Sequence, residues 1–260
     1  MGFNFLRPTG RKGWLAALLC GAISMAGSCR SRPGQTVGIA VAANFAEAAK
    51  EIAQLFQKAT GYRAVLSFGS TGQLFAQITQ DAPFEVLLAA DQEAPRKAVA
   101  AGLGLKDSVF TYAVGKIVLF SANLDLTNGE AVLRTGEFGK IAIANPLTAP
   151  YGAAALEAMK SLGLHERLVG KIVHGNNIAQ TFQFVETGNA ELGFVALSQV
   201  GGKDAKSMWI VPENLYSPIR QDAVLLRKGA GNEGARAFIA FLKSSVALKI
   251  IEKYGYAGTP

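Results

Sequence analysis

The chain alternates between two patterns of apolar residues from residue 37 onward. Short apolar runs such as 37–43 and 64–68 are typical of buried strands, whereas the segment after the first run has a helical spacing that ends at Gly61. The apolar residues at that spacing are Phe45, Ala48, Ala49, Ile52, Ala53 and Phe56. Strands that alternate with helices predict an α/β fold of mostly parallel sheets with helices on both faces.

Two longer apolar stretches, 109–122 and 218–226, are suited to carry the chain between two lobes. They predict a first lobe of residues 36–113 with 221–260, a second lobe of residues 114–220, and a cleft between the lobes. The other predicted strands are 85–90, 140–144, 171–174 and 192–196, and the other predicted helices are 72–79, 92–101, 152–162, 178–186, 232–243 and 245–254.

Residues 1–35 have the features of a secretory signal peptide followed by a short polar linker. Three basic residues between positions 7 and 12 precede an apolar segment, 14–26, that is too short to span a bilayer. We therefore expect export to the periplasm, with cleavage either after Ala26 or just before Cys29, where a lipid anchor would be attached. Because Cys20 and Cys29 are the only cysteines, the folded body is predicted to have no disulfide.

The net charge of +7 does not point to a nucleic-acid partner. Five basic residues lie in the first 32 positions, which contain no acidic residue, so the rest of the chain carries only +2. That remainder shows no concentrated basic face. With 50% hydrophobic residues among 260 positions, the chain is long and apolar enough to bury a large core.

Four loops form the candidate site, because each follows a predicted strand and opens a predicted helix. They are rich in small and hydroxyl residues, contain no charged residue or histidine, and span 42–44, 69–72, 149–152 and 176–178. The first N–H groups of a helix lack intrahelical acceptors and carry the positive end of its dipole. Several such helix ends aimed at one point predict an oxyanion site that needs no cation.

A site of this kind also discriminates between anions by their protonation. Without a carboxylate it cannot accept the proton of monohydrogen phosphate, so we expect it to prefer oxyanions that carry no proton at neutral pH. The common tetrahedral oxyanions of that kind are sulfate, molybdate, tungstate and chromate.

Each loop, taken alone, also has a purely structural interpretation. These interpretations are a capping box of Asn44 with Glu47, turn chemistry at Ser70 and Thr71, a plain helix start at Tyr151, and a helix cap at Asn177. The shared position of the loops at strand ends in both predicted lobes favours the binding interpretation. A metal site is not indicated, since His165 and His174 have no acidic or thiol partner at ligand spacing.

Five segments together resemble the periplasmic molybdate-binding proteins of ATP-binding cassette importers. The segments are VAANFAEAAKEIAQLF, SFGSTGQLFAQI, APFEVLLAADQEAPRKAV, IANPLTAPYGAAA and ELGFVALSQV, and the resemblance covers nearly all of 37–256. It implies a two-lobed periplasmic binding protein fold of type II whose lobes close on the ion. It also implies a protein that binds molybdate, and tungstate as well, and presents it to a membrane permease. We expect a monomer with no catalytic residue, no cofactor and no nucleic-acid partner.

The resemblance also implies which residues contact the ion. A tyrosine that hydrogen-bonds the ion in some family members falls on Ala196, so we expect the Tyr151 hydroxyl to replace it from another direction. The implied contacts are Asn44 with Ala43 beside it, Thr71 with Ser70 before it, Tyr151, and the backbone N–H of Ile178, which follows Asn177.

Three other functions stay open at this point. A receptor for sulfate, or one tuned mainly to tungstate, would use the same donors. An enzyme on the same fold, such as a hydrolase, would use Ser70, Thr71 or Tyr151 on a phosphate ester or acyl group, although no base is visible in a readable triad pattern. A sensor domain would report the anion to a signalling partner.

Overall fold

The computed structural model describes residues 36–257. The predicted signal peptide, both cysteines and the last three residues lie outside this range. Among the helices of residues 36–257, none is both long and apolar enough to cross a membrane.

The first sheet contains five strands, numbered here in chain order: β1 (Thr36–Ala42), β2 (Arg63–Gly69), β3 (Val86–Leu88), β4 (Phe110–Gly115) and β10 (Ile219–Leu225). Their order across the sheet is β2-β1-β3-β10-β4. The three strands that belong to successive βα units are parallel, whereas β10 runs antiparallel to β3 and to β4. The antiparallel half therefore contains the strand that leaves this sheet and the strand that returns to it.

The second sheet repeats this plan with β5 (Ile117–Phe120), β6 (Ile141–Ala144), β7 (Ile172–Gly175), β8 (Leu192–Ala196) and β9 (Met208–Ile210). The order is β7-β6-β8-β5-β9, with β6 parallel to β7 and β8, and β5 antiparallel to β8 and β9. Both sheets are mixed, because in each one the strands joined by helices pair in parallel and the strands next to a crossing do not.

Nine α-helices of the described range cover the two sheets. They are α1 (Ala46–Thr60), α2 (Thr71–Thr79), α3 (Glu93–Ala100), α4 (Gly129–Thr135), α5 (Pro150–Ser161), α6 (His165–Leu168), α7 (Ile178–Glu186), α8 (Glu233–Leu242) and α9 (Ser245–Lys253). One face of the first sheet packs on α1, α8 and α9, and the other face packs on α2 and α3. The second sheet lies between α7 on one face and α4, α5 and α6 on the other. Side chains alternate along β1, since Ile39 and Val41 face the first layer and Ala40 faces the second.

The crossings between the sheets are short. The predicted apolar stretch 109–122 is divided at Lys116 into β4 and β5, which belong to different sheets. The return strand begins at Ile219, which pairs with Gly115 at the end of β4. The two connections therefore lie side by side, as a hinge between the sheets requires.

The predicted capping box of Asn44 with Glu47 is wrong. A short 3₁₀ turn, Ala43–Phe45, comes before α1 and moves its first residue to Ala46. Glu47 forms an ion pair with Lys50, with 2.6 Å between its Oε1 and the lysine Nζ. The Asn44 side chain is buried in the protein and does not contact Glu47. The short helices α4 and α6 were not predicted, because four to seven residues show too little apolar periodicity.

Phe56 tests the core between α1 and the C-terminal helices. It is fully buried, and its ring centroid lies 5.2 Å from that of Phe238 and 5.6 Å from that of Phe241. We expect Phe56→Ala to lower the free energy of unfolding by about 3–5 kcal/mol, because the cavity it leaves cannot close fully. The control Phe68→Ala removes a ring that is 41% exposed and is expected to cost less than about 1 kcal/mol. Urea denaturation measures both values, and equal losses would contradict this account.

Candidate functional site

Three of the four loops predicted to form the site, and the first residue of α7 from the fourth, meet at one small cavity. Its wall consists of residues 42–44, 69–71, 90, 149–151 and 178. The strands β1, β2, β3 and β6 deliver their carboxyl ends towards it, as expected for a cleft of an α/β fold. No lysine, arginine, histidine, aspartate or glutamate is among these lining residues.

The start of α2 contributes two hydroxyl groups to the cavity. Ser70 is the N-cap residue, and its Oγ is buried with no hydrogen-bond partner within residues 36–257. Thr71 is the first helical residue, and its Oγ1 accepts a hydrogen bond from the N–H of Ala90 at 2.9 Å. Since that bond uses the oxygen only as an acceptor, the proton of Thr71 is free to be donated. A buried hydroxyl without a partner, such as that of Ser70, points to a missing ligand.

Tyr151, in the first turn of α5, lines the cavity from the second sheet and is fully buried. Its Oη accepts a hydrogen bond from Gln221 Nε2 at 3.0 Å and lies 3.4 Å from Asn44 Nδ2. In the hydrogen bond with Gln221 the tyrosine oxygen is the acceptor. The hydroxyl also packs against Gly115, where a Cβ atom would lie 2.0 Å from Oη, so a glycine is required at this point of the crossing.

The side chain of Asn44 belongs to a buried hydrogen-bond network and not to the cavity surface alone. Its Nδ2 donates to Gln221 Oε1 at 2.9 Å and to Tyr256 Oη at 3.1 Å. Because an amide nitrogen has two protons, these bonds occupy both of them. A contact from Asn44 to a bound anion therefore has to come from its backbone N–H, which lies in the 3₁₀ turn next to Ala43.

The remaining predicted residues divide into two groups. Ala43 and Ile178 line the cavity, and Ile178 is the first residue of α7, so its N–H is one that lacks an intrahelical acceptor. Asn177 and Ala196 are not among the lining residues. Asn177 Oδ1 instead accepts a hydrogen bond from Gln180 N–H at 3.0 Å, which is the capping role of its structural interpretation.

Direct hydrogen bonds join the two sides of the cleft. The N–H of Gly72 in α2 donates to the carbonyl oxygen of Thr148 at 2.9 Å, and Ser198 Oγ donates to the carbonyl oxygen of Asn44 at 2.8 Å. Gly72 and Asn44 belong to the first sheet's side, whereas Thr148 and Ser198 belong to the second. The cavity is thus enclosed by contacts that opening of the cleft would break.

The charged residues near the cavity lie outside it. An open groove of about 540 Å³ borders it, and the groove is lined by Asp91, Arg96, Lys97 and Arg220 among others. Burial raises the pKa of Asp91, whose Oδ1 accepts a hydrogen bond from Ala94 N–H at 2.8 Å and so caps α3. Within the cavity, burial raises the pKa of the Tyr151 hydroxyl well above its usual value of 10, which keeps this group protonated at neutral pH.

The arrangement can bind a small, fully deprotonated oxyanion through uncharged donors. It offers no base to activate Ser70, Thr71 or Tyr151 as a nucleophile, because no histidine or carboxylate lines the cavity. In the described part of the chain, no cluster of three or more His, Cys, Asp or Glu side chains is placed to hold a metal ion.

Sequence analysis missed the residues that surround the predicted ones. Gln221, Tyr256 and Tyr112 are fully or almost fully buried around Asn44 and Tyr151, yet Gln221 and Tyr256 lie 177 and 212 positions from Asn44 in the chain. The one local signal was a run of three polar residues, Arg220, Gln221 and Asp222, inside an apolar stretch predicted as a crossing.

Comparisons with known proteins show the family and the fold of the chain. Residues 37–257 match the family described as bacterial extracellular solute-binding protein. The chain is 52% identical to the molybdate-binding protein ModA of Rhodobacter capsulatus over 217 residues, which are 84% of this chain and 86% of that protein. It is 28% identical to ModA of Escherichia coli over 94% of this chain and 97% of the relative. The fold matches the periplasmic molybdate-binding protein of Azotobacter vinelandii with a TM-score of 0.83 and 37% identity, over 86% of this chain and all of that one.

Gly72 tests the contact across the cleft. A Cβ atom at this position would lie 3.0 Å from Thr148 Cα and 3.2 Å from the Thr148 carbonyl oxygen, so Gly72→Ala has to push the two sides apart. We expect the hydrogen bond from Gly72 to weaken and the closed state to lose about 1 kcal/mol. Solution X-ray scattering should show a larger radius of gyration than for the parent. Gly170→Ala is the control, since its Cβ would meet no atom within 4 Å, and an equal change in both variants would contradict this role.

Proposed function

Because the chain belongs to the family of bacterial extracellular solute-binding proteins, we propose that it captures molybdate and delivers it to an ATP-binding cassette importer. It catalyses no reaction. The observation that carries this proposal is the small cavity whose wall holds hydrogen-bond donors but no charged side chain. Such a wall suits an anion that has no proton to donate.

We assign the ligand contacts to groups from both sides of the cleft. On the first side these are the Ser70 and Thr71 hydroxyls and the backbone N–H groups of the 43–44 turn. On the second side they are the Tyr151 hydroxyl and the Ile178 N–H. Hydrogen bonds to a charged group contribute about 1.5–3 kcal/mol each, so several together can offset the desolvation of a dianion. Asn177 is left out of this set, and Asn44 enters it through its backbone.

Tungstate belongs to the same proposal, because it presents the same four oxygens to the same donors. Sulfate has the same charge as molybdate but shorter bonds to oxygen, so the cavity can reject it only by size. Phosphate is rejected for a different reason, since at neutral pH it carries a proton that no group in the cavity wall is placed to accept.

Titration calorimetry of the mature protein with molybdate, tungstate, sulfate and phosphate tests this function. We expect molybdate and tungstate to bind far more tightly than the other two, with an affinity that stays constant between about pH 6 and pH 9. Burial raises the pKa of Tyr151, so its hydroxyl is a protonated donor throughout that window and is lost as a donor only at higher pH. Preferential binding of phosphate would refute the argument from neutral donors, and preferential binding of sulfate would identify a sulfate receptor.

Ser70 and Thr71 give a pair of variants with different expected signatures. Ser70→Ala removes a hydroxyl that has no partner in the protein, so it should weaken molybdate binding by about 1.5–3 kcal/mol and leave the folding free energy unchanged or slightly higher. Thr71→Ala should weaken binding and also destabilise the fold by about 1–3 kcal/mol, because the buried N–H of Ala90 loses its acceptor. Calorimetry and urea denaturation separate the two effects. Unchanged binding in Ser70→Ala would remove that residue from the site.

We place the protein in the periplasm, in keeping with its family and its predicted leader. Its partner is the membrane permease of an importer, and we propose that it acts as a monomer. Cleavage before Cys29 would leave the mature protein tethered by a lipid anchor, whereas cleavage after Ala26 would leave it free, and the mass of the mature protein tells these apart.

A further inference from the structure

We propose that Gln221 is a positioning residue that fixes the direction of the Tyr151 hydroxyl, so that its proton is available to the bound oxyanion. This inference rests on the proposed function and names a residue outside the cavity wall. Gln221 is fully buried in β10, the strand by which the chain returns to the first sheet.

The direction of each hydrogen bond around Gln221 can be assigned by starting from a group that can act only as an acceptor. The carbonyl oxygen of Asn44 can only accept, and Tyr256 Oη donates to it at 2.7 Å. The Tyr256 oxygen therefore accepts from Asn44 Nδ2, at 3.1 Å. This places the Asn44 amide nitrogen, and not its oxygen, towards Gln221, where Nδ2 donates to Oε1 at 2.9 Å.

The same order continues through Gln221 to the cavity. The donor Asn44 Nδ2 holds the amide oxygen on this side, where Oε1 also lies 3.1 Å from Tyr112 Oη, whose single proton is shared with the carbonyl oxygen of Ala89 at 3.0 Å. The amide nitrogen must then face Tyr151, and Nε2 donates to Tyr151 Oη at 3.0 Å. Because the tyrosine oxygen accepts this hydrogen bond, its single proton is not used by Gln221 and can be donated to an anion in the cavity.

The strand pairing around Gln221 is irregular in a way that supports this role. Gln221 pairs with Ala113, but the next residue of β10, Asp222, pairs with Thr111, so Tyr112 is an extra residue in β4. A bulge of this kind re-aims side chains, and here it brings the Tyr112 hydroxyl to Gln221 Oε1. Asp222 is bound separately by Thr111 and Gln92.

No charged side chain contacts the Gln221 amide. The titratable groups that face it are the hydroxyls of Tyr112 from β4 and Tyr151 from α5, with Tyr256 one hydrogen bond further away beyond Asn44. Its neighbours on β10 are the exposed Arg220 and the separately bound Asp222. A carboxyl group introduced at this position would therefore have no cation beside it and would take up a proton more readily than an exposed one.

Gln221→Glu replaces the amide nitrogen that donates to Tyr151 by a carboxylate oxygen that accepts, with little change in the shape of the side chain. When ionised, the introduced carboxylate accepts the Tyr151 proton and withdraws it from the cavity, and when protonated it again donates to Tyr151. We therefore expect Gln221→Glu to lower the molybdate affinity at pH 8. The loss in the parent protein should be about 10- to 100-fold larger than the loss that the same substitution causes in a protein that already carries Tyr151→Phe. In the Tyr151→Phe protein, the loss measures only the repulsion between the introduced carboxylate and molybdate. The additional loss in the parent should disappear as the pH is lowered to about 5.5, because the carboxylate then takes up a proton.

Calorimetry with sodium molybdate is run on the parent, both single variants and the double variant, with each affinity expressed relative to the parent at the same pH. Gln57→Glu on the exposed face of α1 is the matched control and should bind like the parent. Thermal unfolding confirms that each variant is folded, and Gln221→Met serves if the carboxylate prevents folding. This second variant should lose affinity at every pH, and lose less of it when Tyr151 is already Phe.

An equal loss in the Tyr151 and Phe backgrounds, or a Tyr151→Phe protein that binds like the parent, would overturn the role of Gln221. A parent protein that binds no molybdate would instead overturn the proposed function.

Discussion

A doubly charged anion inside a protein must recover the hydration it loses through donors that are already in place. In this protein the donors that we propose are hydroxyl protons and the N–H groups of helix starts, and none of them carries a formal charge. Each such donor depends on a strand that ends at the cleft, so the two sheets have to be oriented with the carboxyl ends of β1, β2 and β6 towards one point. The repeated sheet plan, with helices on both faces, is the framework that holds this orientation.

The network around Asn44 and Gln221 adds a second condition, because it links the cavity to the hinge. Gln221 lies on the return strand, Tyr151 packs against Gly115 at the outgoing crossing, and Tyr256 comes from the end of the described chain. A buried polar network stabilises one arrangement only when its members are all paired. The oxygen and the nitrogen of the Gln221 amide each have a hydrogen-bond partner, and these partners come from both sides of the cleft.

Ser70 differs from the paired groups of this network, because its hydroxyl is left for a ligand. Its hydroxyl is buried and has no partner within the described residues, which costs about 1–3 kcal/mol in the protein alone. An oxyanion that accepts this hydrogen bond removes that cost. The neighbouring groove carries both basic residues, such as Arg96, Lys97 and Arg220, and acidic ones, such as Asp91 and Glu93, so their fields largely offset each other. We therefore propose that selectivity resides in the donors of the cavity and in its size.

The sequence by itself determined the alternation of strands and helices, the two crossings and the small, uncharged loops at the strand ends, because these follow from local periodicity and turn chemistry. It also led to Ser70, Thr71, Tyr151 and Ile178, all of which line the cavity. Only the tertiary structure decided what each side chain does there. Asn44 donates its amide protons to Gln221 and Tyr256, which lie 177 and 212 positions away in the chain. No local pattern can encode a hydrogen bond between groups that only the fold brings together.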